Sequence, residues 1–115
     1  MIIEWNVHMF SSDTERYPFH ERAAYTPAVK QLTPDPLAEY LERMVHEKID
    51  RAVLVHPEPY GDDHRLALDC VAARPDLFKT TALFYPKDDA APAKLKQLVS
   101  DYGESLVAFR FHAHE

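Results

Sequence analysis

Polar and imidazole-bearing residues gather at the ends of four short β-prone segments in this 115-residue chain. Asn6 and His8 follow Ile3-Glu4-Trp5, and His56 and Glu58 follow Val53-Leu54-Val55. Tyr85 follows Leu83-Phe84, and Arg110, His112 and His114 close the run that begins at Val107. Side chains two apart on a strand share a face. Asn6 is therefore expected beside His8, and Arg110 beside His112 and His114. An inward arginine on a central strand needs an anionic partner or substrate, and Arg110 is such a residue. The chemistry such a set offers is capture of that anion by cationic and imidazole groups.

Helical patterns lie between consecutive strand-like segments and must position these tips. Asp35-Pro36 supplies an N-cap followed by proline at the first helical position. From there Leu37, Tyr40, Leu41, Met44 and Val45 repeat at helical spacing as one apolar stripe. A second helix is predicted over about 62–73, with Leu66, Cys70 and Val71 inward. A third is predicted from about Asp89, carrying Leu95, Leu98, Val99 and Tyr102 and stopping at Gly103 as a C-cap. Pro57, Pro59 and Pro86 close strands, because proline lacks the ladder donor. Residues 11–34 show no clear period and hold Tyr17, Phe19, His20 and Tyr25. Loops of that length in compact domains are usually lids or binding loops. His20, His46 and His64 are read as surface or loop histidines.

Strands alternating with helices imply right-handed parallel βαβ units. Parallel strands buried on both faces should be almost wholly apolar. Here the last strand splits into Val107, Phe109 and Phe111 against Ala108, Arg110, His112 and His114. The first splits into Ile3, Trp5, Val7 and Met9 against Ile2, Glu4, Asn6 and His8. Polar residues held to one face at the C-terminal ends point into the mouth of a barrel, where (β/α) barrels carry their active sites. A closed barrel needs eight units and roughly 250 residues. The fold class expected is α/β, the N-terminal half of a (β/α)8 TIM barrel. About four parallel strands and three helices span residues 1–115, with strands five to eight absent.

Composition excludes several classes. The formal net charge of −6, with basic residues dispersed, argues against a nucleic-acid partner. No apolar run approaches the ~18 residues of a membrane span, and the opening Met1-Ile2-Ile3-Glu4-Trp5 is a strand rather than a signal peptide. One cysteine, Cys70, excludes an internal disulfide framework and reads as a small buried hydrophobe in a helix. Cytoplasm is the expected compartment.

The segment Ile2-Ile-Glu-Trp-Asn-Val-His-Met-Phe10 resembles the first strand of the amidohydrolase-related (amidohydrolase 2) TIM-barrel hydrolases, where it usually reads acidic-x-His-x-His. Tyr17-Pro18-Phe19, the strand ending at His56 and Arg110-Phe111-His112 extend the likeness along the chain. The branch it looks most like holds lactonases of sugar acids and of pyrone dicarboxylate. The resemblance implies a hydrolase that opens a lactone or related carbonyl ester or amide by water attack. An Asp and further His ligands would come from the later strands, so this chain alone is expected to be inactive. A divalent metal, Zn²⁺ or Mn²⁺, is the implied cofactor, with His8 as its ligand. Asn6 stands where the first His of the pair normally sits, and a neutral amide oxygen binds Zn²⁺ weakly. Some members of this branch work without metal, which places the weight on cations that polarise the carbonyl. His8, Arg110 and His112 are the expected catalytic residues. Asn6, His56, Glu58, Tyr85 and His114 are expected to bind substrate, an anionic lactone. The alternative is a non-catalytic half-barrel that binds a partner or forms a homo-oligomer through its two open sheet edges.

Overall fold

The computed structural model describes residues 1–111. Four strands, β1 (Ile3–Val7), β2 (Arg51–Leu54), β3 (Phe78–Phe84) and β4 (Leu106–Phe111), form one parallel sheet in sequential order. Helices α1 (Pro36–Glu47), α2 (Arg65–Ala73) and α3 (Ala91–Tyr102) make the crossovers. The expected fold class holds: this is the first half of a (β/α) barrel. His112 and His114 lie outside the described residues.

Local chemistry explains the helix boundaries. The Asp35 carboxylate accepts from the Ala38 backbone N–H and caps α1, with Pro36 in the first turn. Its C-terminus is closed by Lys48 in a left-handed conformation (φ 59°), a role usually filled by glycine or asparagine. The α2 start falls later than expected, at Arg65, because residues 61–64 form a tight turn around Gly61. Similarly α3 starts at Ala91, after the Asp88 carboxylate has accepted from the Ala90 N–H. Gly103 does follow the last residue of α3, but its backbone is right-handed (φ −52°) and leads into a short 3-10 turn, Gly103–Ser105.

The core lies between the sheet and its helices. Tyr40 and Met44 of α1, and Leu66, Cys70 and Val71 of α2, pack with Ala52, Leu54 and Phe78 of the sheet. Burying a side chain such as Phe78 contributes about 1.5–3 kcal/mol. A second cluster joins Ala82 and Phe84 to Ala91, Leu95 and Leu98. Two expected stripes were too wide: Val45, Val99 and Tyr102 are exposed. Cys70 is buried as expected, and that burial pushes its thiol up to about 12.

The strict two-residue alternation expected for β1 and β4 is broken by a β-bulge in each. Trp5 pairs with Val53 but Val7 with Leu54, leaving Asn6 as an extra residue. Thr80 pairs with Leu106 but Thr81 with Ala108, leaving Val107 extra. Glu4, expected on the polar inner face, instead lies on the helix side, where it accepts from Tyr40 Oη (3.0 Å) and from Arg43 (3.1 Å). Val7 is likewise buried in the helix-side core. Val107, expected under the helices, lines a concave hollow with Ile3, Trp5 and Val53. One extra residue inverts every later side chain, which is why a period-2 count along either strand goes wrong.

Candidate active site

The strand ends meet at one rim. Beyond its bulge, β1 runs on to His8, whose Nδ1 lies 2.9 Å from the Val55 carbonyl oxygen at the tip of β2. A carbonyl only accepts, so in the neutral ring Nδ1 carries the proton and Nε2 keeps its lone pair. Beyond its own bulge, β4 pairs Arg110 with Leu83. The guanidinium reaches back across β3 and donates from Nη2 to the His56 carbonyl at 2.6 Å. His8 and Arg110 are thus fastened to consecutive carbonyls of the β2 tip, which point to opposite sides of that strand. The first and fourth strands of a sheet lie about 14 Å apart. The reach of Arg110 narrows that gap and leaves both side chains exposed at the rim.

His56 itself is turned the other way. Its ring is 1% exposed, its Nε2 lies 2.7 Å from the Gly61 carbonyl oxygen, and its backbone N–H donates to Thr81 Oγ1. Nε2 must therefore carry the proton, and the bare Nδ1 has no hydrogen-bond partner among the described residues. Burial, with help from neighbouring His64 and Arg110, pulls His56 down to about 3. His64, expected at the surface, is buried: its ring lies 4.6 Å from that of His56, and its Nε2 sits against the Leu83 backbone. Burial lowers its pKa as well. Both rings stay neutral, and at the β2 tip it is His56's carbonyl that serves Arg110.

Residues 11–34 fold down over this rim as a strap. Tyr17 is buried with its hydroxyl donating to the Asp69 carboxylate of α2, and Phe19 stacks on Tyr60. Desolvation and that carboxylate push the Tyr17 phenol up to about 12. The strap is fastened to the β2–α2 connection: His20 N–H donates to the Pro59 carbonyl, and Ala24 N–H donates to Glu58 Oε1 at 2.8 Å. Glu58 thus serves as a strap anchor. Tyr85, at the β3 tip, is buried under the same strap, with its hydroxyl 3.3 Å from His20 Nδ1 and the Arg22 guanidinium 4.4 Å above its ring. His20 Nε2 lies 3.5 Å from Asp62, which also accepts from Lys94. Sequence reading took His20 for a surface or loop histidine and did not single out Arg22 or Asp62, and the one signal for this cluster was the aromatic content of the strap. Gly61 makes this packing fit: a Cβ there would stand 2.5 Å from His20 Cγ and 2.7 Å from the Tyr85 hydroxyl.

The chain is 32% identical over 110 residues to the 4-sulfomuconolactone hydrolase of Hydrogenophaga intermedia, a match covering 94% of this chain and 33% of that protein. A 4-sulfomuconolactone hydrolase of Rhizobium radiobacter is 36% identical over 69 residues, 58% of this chain and 21% of the relative. The chain therefore spans a third or less of the length of the curated relatives it matches. Among solved structures, a probable 2-pyrone-4,6-dicarboxylic acid hydrolase of Acinetobacter baumannii with citric acid bound superposes at a TM-score of 0.72. The identity is 21%, and the match covers 95% of this chain and 36% of that one. A candidate 2-pyrone-4,6-dicarboxylic acid hydrolase from Pseudomonas putida gives 0.63 at 21% identity, over 90% and 34% of the two chains. At that identity the structural likeness speaks for the fold alone. No family model matches the chain.

Among the described residues no three His, Cys, Asp or Glu side chains converge. His8 commits Nδ1 to Val55, leaving one nitrogen, and Asn6, the extra residue of the bulge, lines the same cavity as His8. Nor, among the described residues, is any helix long and apolar enough to cross a membrane.

Proposed function

We propose that this chain is part of an amidohydrolase-type hydrolase that opens a lactone bearing an anionic group. The observation that carries the proposal is the pairing of His8 and Arg110 on consecutive carbonyls of the β2 tip, in a chain similar to lactone hydrolases over nearly its whole length. Both relatives are named for a lactone that carries a sulfonate. A guanidinium suits such groups because its planar fork matches their paired oxygens.

In the reaction, water adds to the lactone carbonyl carbon and the ring C–O bond breaks. The product is one molecule carrying a new carboxylate and a hydroxyl, the latter taking up a proton. Arg110 binds the anionic substituent or the developing oxyanion, where a fixed cation is worth most. Held by Val55, His8 presents Nε2 towards the bound ring, where it accepts a hydrogen bond from the substrate or from water. The strap residues, through Tyr85 and Glu58, close the rim against bulk water. The base that activates water is an Asp from strands beyond the four seen here, as the resemblance implies.

Titration of the isotope-labelled chain with a carboxylated or sulfonated γ-lactone, followed by NMR, tests the binding half of this reading. Shifts should concentrate on Arg110 and His8 and vanish in Arg110→Ala. An unresponsive Arg110 at millimolar ligand would refute the assignment of an anionic lactone.

A further inference from the structure

We propose that Asn6 serves the site through its backbone, as the positioning residue that turns His8 into the mouth, and not through its amide. Asn6 has φ 83°, one of two non-glycine residues with positive φ among the described residues. It is also the extra residue of the β1 bulge, since the pairing runs from Trp5–Val53 directly to Val7–Leu54. The consequence can be followed atom by atom. Trp5 lies on the concave side and Val7, two residues later, lies on the helix side in the core. Val55 N–H donates to the Val7 carbonyl at 2.7 Å, which fixes the end of β1 against β2 in the shifted register. Val7 and Met9 are both buried in the core, and His8 between them is exposed with its Nδ1 on the Val55 carbonyl. In an unbroken strand Val7 would face the concave hollow, and His8 would point with Glu4 into the helix layer.

The residue type follows from the conformation. Left-handed backbone is open to glycine and, among residues with a Cβ, most readily to asparagine and aspartate. Among the described residues the Asn6 side chain makes no hydrogen bond, so none of them uses its amide. The β4 bulge does the same for Arg110: the extra residue Val107 lets Ala108 and Arg110 pair with Thr81 and Leu83, and it does so without positive φ. Bulges of this kind cluster at barrel rims and re-aim side chains there. Of the two, only the β1 bulge demands a particular residue. Asparagine at this position thus has a positive role, accepting the bulge conformation that re-aims the imidazole of His8.

This inference rests on reading His8 as a residue of the mouth, but its test needs no substrate. The probe is the imidazole ¹⁵N spectrum of His8, in which the Nδ1–H tautomer held by Val55 is distinct from the commoner Nε2–H form. Asn6→Gly removes the amide and keeps the backbone freedom. Asn6→Gln keeps an amide and loses the ease of positive φ. Asn6→Gly should keep the Nδ1–H signature and the Val7 methyl shifts of the core, and Asn6→Gln should lose both. The reverse ranking would overturn the proposal by showing that the amide holds His8. A lowered melting temperature in Asn6→Gln with the His8 signature intact would also overturn it, since Asn6 would then be an ordinary stabilising turn residue. Preserved His8 geometry in Asn6→Gly with no lactone response at Arg110 would count against the proposed function and leave the role of Asn6 standing.

Discussion

Acidification should weaken this fold well before its carboxylates titrate, and His56 sets the size of the effect. The ring is 1% exposed, keeps Nδ1 bare, and has its pKa held near 3 in the folded chain against 6.5 when unfolded. A depressed folded value means that the unfolded chain binds the proton more readily. The contribution is fully present above the unfolded value, and it is lost progressively as pH falls towards the folded one. Each proton taken up on unfolding costs about 1.36 kcal/mol for every pH step of one, so between pH 7 and pH 5 His56 alone should remove about 2 kcal/mol. His64, lowered in the same direction by burial, adds to this loss. Carboxylates such as Asp63, held below 3.8 by its bond to Arg65, contribute only at lower pH. Urea unfolding at pH 7, 6 and 5 is the assay, with His56→Gln as the comparison. The midpoint should fall steadily in the parent chain and less steeply in the variant. A midpoint flat from pH 7 to pH 5 would refute the reasoning, because it would mean that the imidazole is hydrated or can charge in place.

Two further outcomes are expected. Gly61→Ala should destabilise the chain by about 1–3 kcal/mol, since Gly61 has φ 58° and its Cβ would collide with His20 and Tyr85. Thermal melting would show the loss, and limited proteolysis should cut sooner within residues 11–34 as the strap loosens. Trp5, the single tryptophan, is 64% exposed on the concave face. Its emission should match that of a solvated indole and be quenched readily by acrylamide, and it should shift to the blue when another polypeptide covers that face.

Much of the architecture could be read from residue order. Apolar strand-like runs alternating with helical stripes specify parallel βαβ units, and each of the four strands and three helices appears where that rhythm places it. The Asp35-Pro36 start of α1 was legible because a cap is a local device, completed by a bond to Ala38 three residues away. Burial of Leu66, Cys70 and Val71 was legible because a nine-residue helix has a definite inner face. The strand order placed polar residues at the strand ends, and in the structure His8 and Arg110 each reach a carbonyl at the β2 tip.

Facing and burial at the site were decided elsewhere. The bulges at Asn6 and Val107 are properties of strand pairs, since an extra residue exists only relative to a neighbour's register. A single strand read alone therefore sends Glu4 to the mouth, whereas pairing sends it to Tyr40 and Arg43. His64 reads as a loop residue because it precedes a helix, and it becomes buried only when the turn through Gly61 folds it against Leu83 and His56. Glu58 and Tyr85 acquire their roles from a strap that lies more than 30 residues away in sequence and meets them only in space. Local periodicity and capping chemistry settled which elements form. Register, which requires two strands at once, and the docking of residues 11–34, which requires the assembled rim, settled what those elements present to a ligand.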